Sequence, residues 1–196
     1  MDSTVGLRER KKEATRRALH DAAMRLAVEH GLGEVTVEAI ADAAGVSRRT
    51  FSNYFAGKED ALLYGDQQRM LGLLEAFEAR PAGESSWTAL RAALLTAFAE
   101  VGEPDPQWAA QARLARAHPS VLARQLAHYA AYERRLATAI GERDGISSAH
   151  PRSRVTAAAF LTSLRLATHL WIEEQPPRPL SAVTAETLDE MARPFN

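Results

Sequence analysis

The sequence predicts an all-α protein of about nine helices, with a small helix-turn-helix domain over residues 1–57 and a larger helical domain over 58–196. Three observations predict it. Apolar residues recur at the three- and four-residue spacing of a helix face in segment after segment. No run alternates with the period of two that marks a half-buried strand, and no internal repeat stands out. Turn-forming clusters at 81–86, 102–106, 118–119, 141–153 and 175–179 cut the later chain into helix-sized pieces.

The first element starts as a charged arm and becomes amphipathic, with Leu19, Ala22, Ala23, Leu26 and Ala27 at helical spacing and Gly31 as its end. Next comes the stretch TVEAIADAAGVSRRTFSNY, residues 36–54. Val37, Ile40, Ala41 and Ala44 share one helix face, Thr36 suits the N-cap, and Gly45 suits a left-handed C-terminal turn. Ser47 caps a second short helix that buries Phe51 and Phe55 and leaves Arg48, Arg49, Ser52 and Asn53 outside. Such a rod fits a DNA major groove, where arginine pairs with a guanine edge and asparagine with an adenine edge. The alternative is a buried helical hairpin with a solvated polar face. Residues 58–79 read as one longer helix with Leu63, Met70, Leu74 and Phe77 buried, and Lys58 at its N-terminus is placed to meet a phosphate. Further helices are expected near 87–101, 107–117, 120–140, 154–174 and 181–193.

Composition narrows the function classes. With 46 % hydrophobic and 25 % charged residues in 196, the chain is of ordinary globular type with a sizeable core. Cysteine is absent, which excludes disulfides and cysteine metal sites and fits a reducing compartment. The N-terminus is polar and no stretch approaches the roughly 20 apolar residues of a membrane span, so a cytoplasmic location is expected. The net charge of −1 is unevenly spread: residues 1–58 carry +2 and the remainder −3. Positive charge gathers between Arg8 and Arg17 and at Arg48, Arg49 and Lys58, as expected of an end that meets phosphate. The six histidines form no H-x-x-x-H pair, and neither G-x-G-x-x-G nor G-x-S-x-G occurs. No cofactor or metal is expected, and an enzyme is the distant alternative.

The stretch TVEAIADAAGVSRRTFSNYFAGKEDAL resembles the DNA-binding signature of the TetR family of bacterial transcriptional regulators. The resemblance rests on Thr36, Ile40-Ala41, Ala44-Gly45-Val46-Ser47, Phe51, Tyr54-Phe55 and Lys58 before Leu62, and covers about the first third of the chain. It implies a DNA-binding set of Thr36, Ser47, Arg48, Arg49, Thr50, Ser52, Asn53, Tyr54 and Lys58, with Tyr54 on a phosphate and the basic start of the first helix near the DNA. Two positions depart from the common pattern: Arg49 stands where a small residue is frequent, and Ser52 where a tyrosine is. Arg49 and Asn53 are therefore expected to read bases, with Arg48 and Ser52 on backbone or bases.

The resemblance also implies a homodimer on a near-palindromic operator, because two recognition helices must enter major grooves about 34 Å apart. The last two helices would form the interface, through Leu161, Thr168, Trp171, Val183, Leu188 and Met191; an internal helix pair is the alternative. The middle helices would enclose an effector whose binding releases DNA. Its expected walls are Trp87, Phe98, Trp108, Leu114, Leu122, Leu126, Tyr129, Phe160, Leu164 and His169, side chains of the kind that plain core packing uses more often than a ligand does. They suit an apolar or amphipathic ligand, with Trp108, Tyr129 or His169 giving a hydrogen bond. The opening GLRERKKEATRRALHDAA is similar to an actinobacterial subgroup that includes regulators of mycofactocin and acyl-CoA metabolism. For an acyl-CoA, Arg113, Arg116 and Arg124 would supply the cations. A dimer that binds DNA without any ligand is the alternative function.

Overall fold

The computed structural model describes residues 2–103, 108, 109, 112, 113, 117–174 and 178–193. Among these the chain forms nine α-helices and no strand: α1 (Asp2–His30), α2 (Val37–Ala43), α3 (Arg48–Tyr54), α4 (Lys58–Leu62), α5 (Tyr64–Glu78), α6 (Ser86–Val101), α7 (Pro119–Asp144), α8 (Pro151–Glu173) and α9 (Leu180–Met191). A 3-10 turn, Leu32–Glu34, lies between α1 and α2. The helix expected over 107–117 falls partly outside the described residues; 108, 109, 112, 113 and 117 are helical.

Several boundaries differ from the sequence reading for local reasons. The single helix expected over 58–79 is two, with Leu63 between them. Ala61, Leu62, Leu63 and Tyr64 are all buried, and four successive side chains cover more than one face of a regular helix. Helix α7 continues past Ile140 because Gly141 packs rather than breaks: a Cβ there would lie 2.7 Å from the carbonyl oxygen of Ile146. Helix α8 begins at Pro151, with His150 as N-cap accepting from the Arg152 N–H at 3.1 Å. Proline is tolerated in that first turn since its missing N–H would have no intrahelical acceptor. By length and composition alone helix α8 is also long and apolar enough to cross a membrane, a test that a buried core helix passes as well. Its Ala157, Phe160, Leu161, Leu164 and Ala167 are buried in protein core.

The chain divides into two compact units, residues 1–68 with 113–125 and residues 69–112 with 126–196, so α5 and α7 each contribute to both. This division does not follow the boundary expected at 57/58. In the first unit, Leu19, Ala22, Ala23, Met24 and Ala27 of α1 pack with Ile40, Ala41, Phe51, Phe55, Leu62 and Val121. Asp60, itself buried, receives two hydrogen bonds from Arg124 on α7, at 2.5 and 2.8 Å. Gln125 donates to Asp66 at 3.3 Å.

The second unit is built on Leu73, Leu74 and Phe77 of α5, Leu90 of α6, Tyr132, Leu136 and Ile140 of α7, Phe160, Leu161 and Leu164 of α8, and Leu188 of α9. Arg143 clamps the end of α5: its guanidinium donates to the carbonyls of Phe77, Arg80 and Pro81 at 3.0, 2.8 and 2.7 Å and lies over the Phe77 ring. A charged donor satisfies there the carbonyls a helix terminus leaves open.

Candidate nucleic-acid interface

The recognition segment is assembled from local rules. Thr36 Oγ1 accepts from the Ala39 N–H at 3.1 Å and caps α2. Gly45, at φ 68°, takes the left-handed conformation that lets its own N–H reach Asp42 O and the Val46 N–H reach Ala41 O, closing α2. Ser47 then caps α3, accepting from the Thr50 N–H at 3.1 Å, with its hydroxyl 2.9 Å from that of Thr50. Phe51 and Phe55 turn into the core 5.8 Å apart.

That burial fixes what α3 shows to solvent. Arg48, Arg49, Ser52 and Asn53 are exposed, and Thr50 and Tyr54 are half-buried. Arg48 pairs with Glu38 of α2 at 2.9 Å, an exposed contact that DNA phosphate or bases can displace at little cost. Arg16 of α1 lies 5.7 Å from the centre of the Tyr54 ring. Arg8, Lys11, Lys12 and Thr15 of α1 line an open groove together with Leu7, Glu9, Thr50, Asn53 and Tyr54.

Two of the expected DNA contacts also serve the fold. Lys58 Nζ donates to the backbone carbonyls of Leu32 and Val35 at 2.9 and 2.8 Å, so the ammonium closes the 3-10 turn and has one proton left for a phosphate. Thr36, though exposed, has its hydroxyl oxygen occupied as a cap.

The expected effector walls are brought together in part. Trp87, Phe98, Tyr129, Phe160 and Leu164 join the main core of the second unit, with Trp87 edge-on to Phe160 at 6.3 Å. The Trp108 ring packs tilted against Trp171 at 5.6 Å beside Phe98, and Arg69 lies over it at 5.2 Å. Leu122 and Leu126 stand exposed, and His169 sits 3.5 Å from Glu173. Leu114 and Arg116 lie outside the described residues. The sequence reading missed the polar group in this core with no partner among the described residues, the buried Nε1 of Trp87. Its signal, a tryptophan within an apolar helix face, is shared by every core tryptophan. Arg124, expected near an acyl-CoA, is committed to Asp60.

Of the expected dimer contacts, Leu161, Val183 and Leu188 are buried within the single chain at 4, 0 and 1 % exposure. That corrects their assignment, since a side chain enclosed by its own core offers no surface to a second copy. Thr168 is half-buried and donates to Leu164 O; Trp171 is half-buried and donates through Nε1 to Arg178 O at 2.7 Å; Met191 is half-buried.

A capped helix pair closed by a left-handed glycine, with its second helix presenting arginine and asparagine to solvent, defines a helix-turn-helix DNA-binding protein. Residues 19–64 match the family model "Bacterial regulatory proteins, tetR family", and residues 84–196 match the MftR C-terminal domain. The HTH-type transcriptional regulator TcmR of Streptomyces glaucescens is 33 % identical over 173 residues, 85 % of this chain and 76 % of the relative. MftR of Mycobacterium tuberculosis is 30 % identical over 179 residues, 89 % of this chain and 86 % of the relative. The chain belongs to the TetR family of transcriptional regulators. The fold is that of Thermus thermophilus FadR, solved with lauroyl-CoA (TM-score 0.61, 24 % identity, 92 % of this chain and 95 % of that one). SmeT, the repressor of the Stenotrophomonas maltophilia efflux pump SmeDEF, shares it too (TM-score 0.61, 20 % identity, 92 % and 89 %).

Proposed function

We propose that this regulator is a homodimeric repressor that occupies a near-palindromic operator and leaves it when a small apolar or amphipathic molecule binds within the second unit. The observation that carries the DNA half is the exposed face of α3, held rigid by the Ser47 cap and the buried Phe51. On it Arg49 and Asn53 read base edges, while Arg48, Thr50, Ser52 and Tyr54 hold the backbone strands or adjoining bases. Occupying a promoter blocks polymerase without an activation surface, and such a protein works in the cytoplasm.

The effector half is supported by the aromatic core of the second unit, where the Nε1 of Trp87 has no acceptor among the described residues. An unmet buried donor costs about 1–3 kcal/mol, which a ligand carbonyl or hydroxyl would recover. Structural neighbours were solved with such molecules: FadR of Bacillus subtilis with stearoyl-CoA and SmeT with triclosan. A ligand acts by favouring the non-binding conformation, and needs only a differential affinity to do so.

The test is fluorescence anisotropy of the full chain on the duplex upstream of its own gene and on a shuffled duplex, with acyl-CoA and aromatic compounds added to the complex. Binding of two chains per site with preference for the natural duplex, released by at least one compound, supports the reading. Binding without preference overturns the operator half. Preference with neither release nor thermal stabilisation by any compound favours a ligand-independent dimer, since a ligand of the folded state must raise its melting point.

A further inference from the structure

Between Thr36 and Tyr54 the helix-turn-helix carries four aliphatic hydroxyls, and three of them are used by the fold. Thr36 Oγ1 accepts from the Ala39 N–H, Ser47 Oγ accepts from the Thr50 N–H, and the Thr50 hydroxyl lies 2.9 Å from that of Ser47. Ser52 differs: it is exposed and has no hydrogen-bond partner among the described residues. The phenol of the segment, Tyr54, is half-buried, with Arg16 at 5.7 Å from its ring centre. Arg48 and Arg49 precede Ser52 by four and three residues, which places both guanidinium groups on its side of the helix. Arg48 pairs with Glu38 at 2.9 Å, while Arg49 is exposed and has no acid partner among the described residues. The face that meets DNA thus holds a free hydroxyl with two arginines one turn before it. Such a segment suits the substrate groove of a basophilic kinase, whose carboxylates take paired hydrogen bonds from arginine.

We infer that Ser52 is a phosphorylation site whose phosphate switches the DNA face off without any effector in the second unit. The inference rests on the DNA-binding reading of α3 given above. The partner is a serine/threonine kinase carrying a nucleoside triphosphate. Ser52 Oγ bonds to the γ-phosphorus as the bridging bond to the β-phosphate breaks; the nucleoside diphosphate leaves, and the hydroxyl proton passes to a carboxylate of the kinase. The product adds about −1.5 to −2 of charge at neutral pH, on strongly accepting oxygens. Arg49 and Arg48, one turn away, then pair with that phosphate rather than with the operator. The remaining charge faces DNA phosphates of the same sign. One covalent group therefore withdraws both cations of α3 and turns a neutral contact into a repulsive one. Kinase and operator need the same face, so each excludes the other, and the bound operator protects Ser52.

The test uses the full chain with a duplex selected by the unmodified protein from a randomised pool, and with a shuffled copy of that duplex. Protein carrying phosphoserine in place of Ser52, made by site-directed incorporation, is compared with the same preparation after phosphatase treatment. The phosphate should lower affinity for the selected duplex by about 100-fold or more at near-physiological salt. The slope of log K against log salt should fall by about 1.8 per protomer, two contacts at about 0.9 each, and phosphatase should restore both quantities. In a second arm, the catalytic subunit of cyclic-AMP-dependent kinase with magnesium ATP should place phosphate on Ser52, located by mass spectrometry. Arg49→Gln should slow that incorporation by about tenfold, the effect of losing one charged pair in the kinase groove. Saturating selected duplex should suppress it, and shuffled duplex at the same concentration should suppress it less. An affinity unchanged by the phosphate overturns the switch. No incorporation, or incorporation at Thr36, Ser47 or Thr50 in preference to Ser52, overturns the site. A phosphorylated chain that has lost helical circular dichroism overturns the electrostatic account, because DNA would then be released by unfolding. An unmodified protein without preference between the duplexes defeats the DNA-reading assignment of α3 itself, and that outcome is visible before any phosphate is added.

Discussion

Arg49 and Asn53 are exposed on a helix whose Ser47 cap and buried Phe51 set their direction. If both read bases, Arg49→Ala and Asn53→Ala should each cost about 1–3 kcal/mol on the operator and relax the preference at one base position. Anisotropy on a panel of single-base operator variants measures both effects; a uniform loss across the panel would place the residue on phosphate. A second prediction concerns Tyr64, whose hydroxyl donates to Glu13 Oε2 at 2.5 Å. Burial first, then that hydrogen bond, pushes the Tyr64 phenol up to about 12, while the bond holds the Glu13 carboxyl below its usual range despite burial. A raised phenol stabilises the fold fully below its unfolded pKa of about 10, and that stability is lost as pH climbs through 10 toward 12. Burial raises Tyr132 in the same sense. Tyr64→Phe should therefore lower the initial stability yet flatten, without abolishing, the fall in melting temperature between about pH 9 and about pH 11. An unchanged fall would show that Tyr64 titrates as in the unfolded chain. The caps and the exposed face of α3 were legible in sequence because each depends on neighbours within four residues. Lys58 was not: its acceptors are 23 and 26 residues away, and only the placement of the 3-10 turn brings them to its ammonium.

At the scale of the element, Gly141 separates two rules that predict opposite signs. Helix propensity alone makes Gly→Ala stabilising by about 1 kcal/mol. Here the new Cβ would meet Ile146 O at 2.7 Å and Ser148 N at 3.0 Å, both backbone atoms of the segment that folds back on α7. Backbone cannot swing aside as a side chain can, so Gly141→Ala is expected to destabilise by about 1–3 kcal/mol, read as a lower melting temperature or denaturant midpoint. A gain in stability would show that the 145–150 segment moves freely. The same residue shows why helix ends were the least legible part of the fold. Glycine is required both where a helix stops, as at Gly45, and where another backbone approaches closely, as at Gly141, and composition does not distinguish them. Helix order was legible because apolar spacing persists across each segment, whereas the break at Leu63, which divides one expected helix into two, depends on burial from several sides at once.

For the whole molecule, the two faces of α8 decide how copies would assemble. Ser153, Ala157, Phe160, Leu164 and Ala167 follow steps of four and three residues and are buried in the chain's own core. The opposite steps pass through Val155, Ala159, Thr162 and Leu166 to Leu170, and three of these are large apolar residues 65, 42 and 41 % exposed: Val155, Leu166 and Leu170. The outward side of α9 differs, with Glu186 paired to Arg178 and Glu190 to Arg193. A sequence cannot say which of two apolar stripes faces inward, which is why Leu161, Val183 and Leu188 were assigned to an interface they do not reach. An exposed apolar stripe with helical spacing on a chain of a dimeric family points to the second copy as its cover. Leu166→Glu with Leu170→Glu should then give a folded monomer by light scattering, because each carboxylate would be buried against its symmetry mate. Operator affinity should fall by about 100-fold or more, since the second recognition helix no longer benefits from the effective concentration that the first one creates. Leu161→Ala, by contrast, should lower the melting temperature through a core cavity and leave the assembled state at equal concentration unchanged. A double variant that remains dimeric would move the interface off α8, and the operator spacing would then have to be explained by a different pairing of the two heads.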